Sequence, residues 1–241
     1  MKIVVITGTA RGLGNAMALE FSRRSFRVFG TCRSQNDAKR LASEFEGNHQ
    51  FHPVDATDLL AMRSFAKHIN SLGGADIVIA NAGVINTREP LWEIDQATWK
   101  NHLDVNILGV VNAIQSFVPH MINAKHGTFI GISSGWGKSP SQGLAPYCAS
   151  KFAVEGLIGC LALDLEGVGS RVNAVALDPG GGINTDMLAM CLPDDHQDFR
   201  KGPDWARGAV DYILDTLVRE KLTGSQKVPE SVHVRYEGVK V

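Results

Sequence analysis

Continuous apolar runs, rather than alternating ones, recur along the chain at Lys2–Thr7, Arg27–Cys32, Gln50–Val54, Asp76–Ala80, Gly127–Ser133 and Arg171–Leu177. A strand apolar on both sides has both faces covered, as in a parallel sheet with helices above and below it. Between the runs lie helix-competent segments at Arg11–Arg24, Asp37–Glu46, Leu59–Leu72, Gln96–Asn123, Pro146–Gly167 and Pro203–Glu220. Pro119 is expected to bend the fourth. A last strand is expected at Ser231–Tyr236, while Asn184–Gly202 has no clear period and is expected to form a substrate lid. The β-α alternation predicts a doubly wound α/β fold with a parallel sheet of about seven strands. No repeat, low-complexity tract or linker divides residues 1–241, so one domain is expected.

Composition narrows the function classes. Apolar residues make up 44% of the 241 and charged residues 20%, as in ordinary soluble globular proteins. The formal net charge of −1 offers no general attraction to nucleic acid or an anionic membrane, so neither is expected as a partner. Cys32, Cys148, Cys160 and Cys191 are widely separated and form no Cys-x-x-Cys pair, and no histidines stand at metal-ligand spacing. Free thiols and no metal are expected. The opening apolar run is too short for a signal peptide and leads straight into glycines, and no stretch is expected to span a bilayer, giving a cytoplasmic location by default.

Two clusters of residues carry chemistry. The first strand runs through Thr7-Gly8-Thr9-Ala10-Arg11-Gly12-Leu13-Gly14 into the first helix, and a glycine turn at a helix N-terminus suits a pyrophosphate. The spacing is not Gly-x-Gly-x-x-Gly, and no Gly-Lys-Ser/Thr ending marks a nucleotide triphosphatase. In the second cluster Tyr147 and Lys151 stand at i,i+4 on a helix, with Ser134 thirteen residues before the tyrosine. A cation beside a phenol is expected to lower its pKa from about 10 and make it a usable proton donor or acceptor, while the serine hydroxyl holds a carbonyl oxygen.

These residues, in this order, make the chain similar to the short-chain dehydrogenase/reductase superfamily over almost its full length, with a Rossmann-like fold. The resemblance covers Thr7, Gly8, Gly12 and Gly14, then Asn81-Ala82-Gly83, Asn106, Ser134, Tyr147 and Lys151. It implies a nicotinamide cofactor held by Gly8, Arg11, Gly12, Leu13 and Gly14, by Asn81, Ala82 and Gly83, and by Tyr147 and Lys151. It also implies adenine contact from Asp55 and nicotinamide contact from Pro179, Gly180 and Thr185, although the Pro179–Thr185 turn is one residue longer than usual. The catalytic set it implies is Asn106, Ser134, Tyr147 and Lys151. Tyr147 moves the proton, Lys151 lowers its pKa and binds the nicotinamide ribose, and Asn106 holds a water leading to solvent. No acid follows the second strand. Cys32-Arg33-Ser34 stands there instead, so Arg33 together with Arg11 favours a 2′-phosphate and hence NADPH/NADP+.

A narrower resemblance, carried by Ser133–Ser139, Ala145–Leu157, Ile183–Leu188, Gly83–Asn86 and Leu91–Glu93, is to plant-type NADPH-dependent pterin aldehyde reductases. It implies reduction of a carbonyl on a planar ring, with Ser134, Trp136, Tyr147 and Met187 around the small-molecule substrate and Met190 and Cys191 nearby. A homodimer or homotetramer is implied too. Alcohol oxidation and cofactor sensing without turnover stay open as rival functions.

Overall fold

The computed structural model describes residues 1–229. Its elements are β1 (Ile3–Thr7), α1 (Gly12–Arg23), β2 (Arg27–Cys32), α2 (Gln35–Glu44), β3 (Gln50–Pro53), α3 (Leu59–Ser71) and β4 (Ile77–Ala80). They continue with α4 (Gln96–His102), α5 (Gly109–Ala124), β5 (Thr128–Ile132), α6 (Ala145–Gly167) and β6 (Asn173–Asp178). The chain then forms β7 (Ile183–Asn184), α7 (Asp186–Cys191), β8 (Arg200–Lys201), α8 (Gly202–Tyr212) and β9 (Gly224–Lys227).

Seven strands form one sheet in the order β3-β2-β1-β4-β5-β6-β9, and every pairing is parallel. Alternate residues of the same strand feed opposite layers. Val4 and Ile6 join Met17 and Phe21 of α1, Leu41 of α2 and Trp205 of α8, whereas Ile3 and Val5 join Phe65 of α3, Phe117 of α5 and Val154 of α6. Burial on both faces is why the strands lack alternation. The order of connection reverses between β1 and β4, so a crevice opens beyond the carboxyl ends of these strands.

Two expectations need correction, and one cannot be compared with the described residues. The strand expected at Ser231–Tyr236 lies outside the described residues, and the seventh strand of the sheet is β9, paired with β6 from Val175↔Gly224 to Asp178↔Lys227. Its glycine and polar residues at a half-exposed edge hid it from an apolar pattern. The segment 184–202 is not irregular throughout. It holds α7, capped by Thr185, and β8, which pairs in parallel with β7, elements too short to show a period. The long helix spans Gln96–Ala124 and is apolar enough by length and mean hydropathy (1.3) to cross a membrane, contrary to expectation. One face of it lies in the core, where α5 supplies Val110, Ala113, Phe117 and Val118.

Within that helix the α-pattern continues through Pro119. It gives way instead at Leu103–Leu108, a π-helical segment between α4 and α5 that turns Asn106 inward to 1% exposure. Such segments are rare and concentrate at functional sites.

Candidate active site

The crevice holds a cavity of about 740 Å³ that runs from the glycine loop, past Asn81–Gly83, to Ser134, Trp136 and Tyr147 and out under α7. At its first end, Gly8 and Gly12 have left-handed backbone (φ +74° and +60°), and a Cβ on Gly14 would lie 2.2 Å from the Gly8 carbonyl oxygen. Only glycines allow this close packing of loop on helix. No side chain caps the N-terminus of α1, and Arg11, Gly12 and Leu13 at that end line the cavity wall. An uncapped helix N-terminus of this kind suits an anion.

The loop is pinned from β4. Thr7 Oγ1 accepts from the amides of Asn81 and Ala82, both at 3.0 Å, and Asn81 Nδ2 donates to the carbonyls of Thr7 (2.9 Å) and Gly8 (3.2 Å). Asn81 is thus occupied with backbone, while Ala82 and Gly83 line the cavity. Asp55 lines it too, and its Oδ1 accepts from the amide and hydroxyl of Thr57, each at 2.9 Å.

Beside the loop lies a second hollow of about 320 Å³ lined by Ala10, Arg11, Arg33, Asp37 and Arg40. Arg11 and Arg33 come together here as expected, but Arg40 was missed. Its Nη2 donates to the Ala10 carbonyl at 2.7 Å, and it pairs with Asp37 (3.2 Å) and Glu44 (3.0 Å). In sequence that spacing reads as a solvated helical charge ladder. Arg11 also stands 3.7 Å from Asp186 at the start of α7, an exposed pair of little energetic weight.

At the other end, the β5 terminus delivers Ser134 and α6 delivers Tyr147 and Lys151. Tyr147 and Lys151 are buried, and the Lys151 Nζ lies 5.6 Å from the Tyr147 ring centroid and donates to the Ile132 carbonyl at 2.8 Å. Asn106 joins them through backbone. Its Oδ1 accepts from Val84 N (2.8 Å), and its Nδ2 donates to Val84 O (2.9 Å) and Ser150 Oγ (2.9 Å). Ser150 in turn donates to the Tyr147 carbonyl at 2.7 Å. Ser150 was not singled out from sequence, where it is only the neighbour of Lys151.

The expected lowering of the Tyr147 pKa is overturned. Burial pushes the phenol up to about 12, with the Ser134 hydrogen bond acting the other way, and burial pushes Lys151 down to about 8. Each shift disfavours the charged form, as desolvation dictates. Tyr147 is therefore held protonated. For Lys151 the unfolded chain binds more proton between about pH 8 and 10.5, so stability should rise with pH across that window. Urea midpoints compared with those of Lys151→Met should show a steeper rise in the parent protein, and parallel curves would contradict it.

The turn after β6 is fixed by two residues that carried no sequence signal. Asp178 Oδ1 accepts from Gly180 N at 2.9 Å, and the indole of buried Trp205 donates to the Pro179 carbonyl at 2.9 Å. Thr185 caps α7, accepting from Leu188 N at 3.2 Å, and its methyl would lie 3.8 Å from a Cβ on Gly12. Thr185 thus reaches the glycine loop. Trp136 meets Tyr147 edge-on at 6.0 Å, and the Arg88 guanidinium lies 5.7 Å from the Trp136 ring centroid. Met187 and Trp136 pack on a small apolar cluster of Ile85, Leu144, Tyr147, Cys148, Leu188 and Cys191. Met190, half exposed, lines the same cavity, and all four cysteines are free.

Residues 2–195 match the short chain dehydrogenase family model, and the chain belongs to that family of oxidoreductases. It is 37% identical over 218 residues to an NADPH-dependent pterin aldehyde reductase of Arabidopsis thaliana, covering 89% of this chain and 88% of the relative. It is 30% identical over 239 residues to a benzil reductase ((S)-benzoin forming) of Bacillus cereus, covering 96% and 91%. Among solved structures, ElxO with NADP bound matches with a TM-score of 0.83 at 25% identity, covering 97% of this chain and 99% of the other.

Proposed function

We propose that the protein is an NADPH-dependent carbonyl reductase acting on aldehydes or ketones borne by planar rings, pterin or aryl, with Tyr147 as general acid. The observation that carries this reading is the buried phenol of Tyr147 sharing with Ser134 and Lys151 one end of a cavity whose other end is the glycine loop and the uncapped start of α1. Bound NADPH would supply the hydride, with Gly8, Gly12, Leu13 and Gly14 framing its pyrophosphate, Arg11 and Arg33 its 2′-phosphate, Asp55 its adenine side, and Pro179, Gly180 and Thr185 its nicotinamide side.

The protein's own part is to hold the carbonyl and deliver a proton. Ser134 donates to the carbonyl oxygen, a contact that strengthens as charge builds there, and Tyr147 gives that oxygen its proton. Lys151, on the same face of α6, becomes the cation that stabilises the phenolate left behind. Asn106 orients both ends of this arrangement, gripping Val84 on the cofactor side and Ser150 beneath Tyr147. The direction proposed is reduction, with Tyr147 as the acid. Reductase activity in the named relatives supports the same direction.

Trp136 beside Tyr147, with the sulfur of Met187 nearby, suits a flat ring. Across a carbonyl panel offered with NADPH and NADH, pterin-6-aldehyde and aryl aldehydes should show higher kcat/KM than short aliphatic ketones. Trp136→Ala should narrow that ratio by about tenfold, in line with the loss of an aromatic contact. A panel led by aliphatic ketones would remove the ring preference from the reading.

The same reading includes association of identical copies. Leu103 and Leu108 on the long helix, with Phe152 and Leu163 on α6, leave large apolar side chains in solvent. A contiguous exposed apolar surface marks a contact face, and these side chains are the candidates for one here. Sedimentation should report a dimer or larger, reduced towards monomer by Phe152→Glu, and a monomeric parent protein would refute association.

A further inference from the structure

Gly182, in the turn between β6 and β7, lies against an aromatic ring. A Cβ built on Gly182 would lie 2.4, 2.5 and 3.0 Å from three carbons of the Phe199 ring, so this ring rests directly on the Gly182 backbone. The pairing of β7 with β8 enforces the contact. Ile183 pairs with Arg200 and Asn184 with Lys201, so Gly182 and Phe199, one residue back on each strand, stand side by side. The short 3-10 turn His196–Asp198 brings the chain to that position. The half-buried ring then packs on the cluster that contains Tyr147, Leu188 and Cys191, and it lines the same cavity as Trp136.

From this juxtaposition we infer that Phe199, seated on Gly182, is a specificity-determining wall of the substrate pocket and selects planar ring carbonyls together with Trp136. The inference rests on the proposed carbonyl reductase reading and names a second aromatic surface for it. A glycine is required at 182 because any side chain there displaces the ring. Gly181 also lines the cavity, but glycine is favoured there by its backbone (φ +134°) and a Cβ would meet nothing within 4 Å, whereas at Gly182 it is the Phe199 ring that leaves no room for a side chain. A flat ligand gains offset or edge contacts from an aromatic wall that a short aliphatic chain cannot match.

The test is a double-mutant cycle read as the ratio of kcat/KM for an aryl aldehyde to that for a short aliphatic aldehyde, both with NADPH. Phe199→Leu and Phe199→Ala should each lower the ratio, the latter by about tenfold, while Phe199→Tyr should keep most of it. Gly182→Ala should lower the ratio in the parent protein and change it no further in the Phe199→Ala background, since the ring it displaces is gone. If Gly182→Ala fails to fold, the Phe199 series alone decides. An unchanged ratio in Phe199→Ala overturns the wall while leaving the reductase reading intact. Failure of the parent protein to reduce any aldehyde overturns the reading itself.

Discussion

Tyr147→Phe should lower kcat for carbonyl reduction by at least about 10²-fold, the lower end for loss of a general acid. The substitution keeps the ring that packs against Trp136 and the apolar cluster, and removes only the hydroxyl that Ser134 engages. NADPH affinity, followed by fluorescence titration, should change little, because the phenol sits at the reacting end of the cavity and the glycine loop at the other. Near-normal turnover in this variant would rule out the proton route through Tyr147. The raised pKa adds a second expectation. Reduction should not lose activity from Tyr147 ionisation until far above neutral pH, because the group stays protonated up to about 12. An alkaline limb near pH 8 is instead expected from Lys151, whose ammonium form burial weakens to about that value.

Neutralising Arg11 and Arg33 together should raise KM for NADPH far more than KM for NADH. A charge-assisted hydrogen bond is worth roughly 1.5–3 kcal/mol, so two lost contacts correspond to a change in preference of about 10² or more. Arg40 complicates the outcome in a definite way. It shares the hollow with both arginines but is already held by Asp37, Glu44 and the Ala10 carbonyl, so it should preserve a residual preference. Binding of 2′,5′-ADP against 5′-AMP, measured by calorimetry, reads the same subsite without turnover. Equal KM ratios before and after the double substitution would sink the 2′-phosphate assignment.

Chemistry carried by contiguous residues was legible in the sequence. The glycine loop, Ser134, Tyr147 and Lys151 sit on or next to strand ends and helix starts, where local pattern fixes their direction, and the apolar runs placed six of the sheet's seven strands. What stayed hidden depends on contacts between distant segments. Trp205 reads as an apolar helix residue until its indole meets Pro179, and Arg40 as a surface ion-pair partner until α2 docks beside the loop. Phe199 gains its place only through the register of two-residue strands. The pKa of Tyr147 was misjudged because spacing reports a neighbouring cation and cannot report complete burial.

The π-helical segment Leu103–Leu108 makes the site sensitive to the length of the long helix. An α-helix advances about 100° per residue, and the wider turn at this segment takes up an extra residue between Gln96–His102 and Gly109–Ala124. Deleting one residue here would let regular winding resume with both halves nearly in place, and would redirect the side chains inside the segment. Asn106 would then leave Val84 and Ser150, while Val110, Ala113 and Phe117 keep their places in the core. The extra residue held by the wide turn is thus as much a part of the site as Asn106 itself, since it sets the direction in which that side chain points.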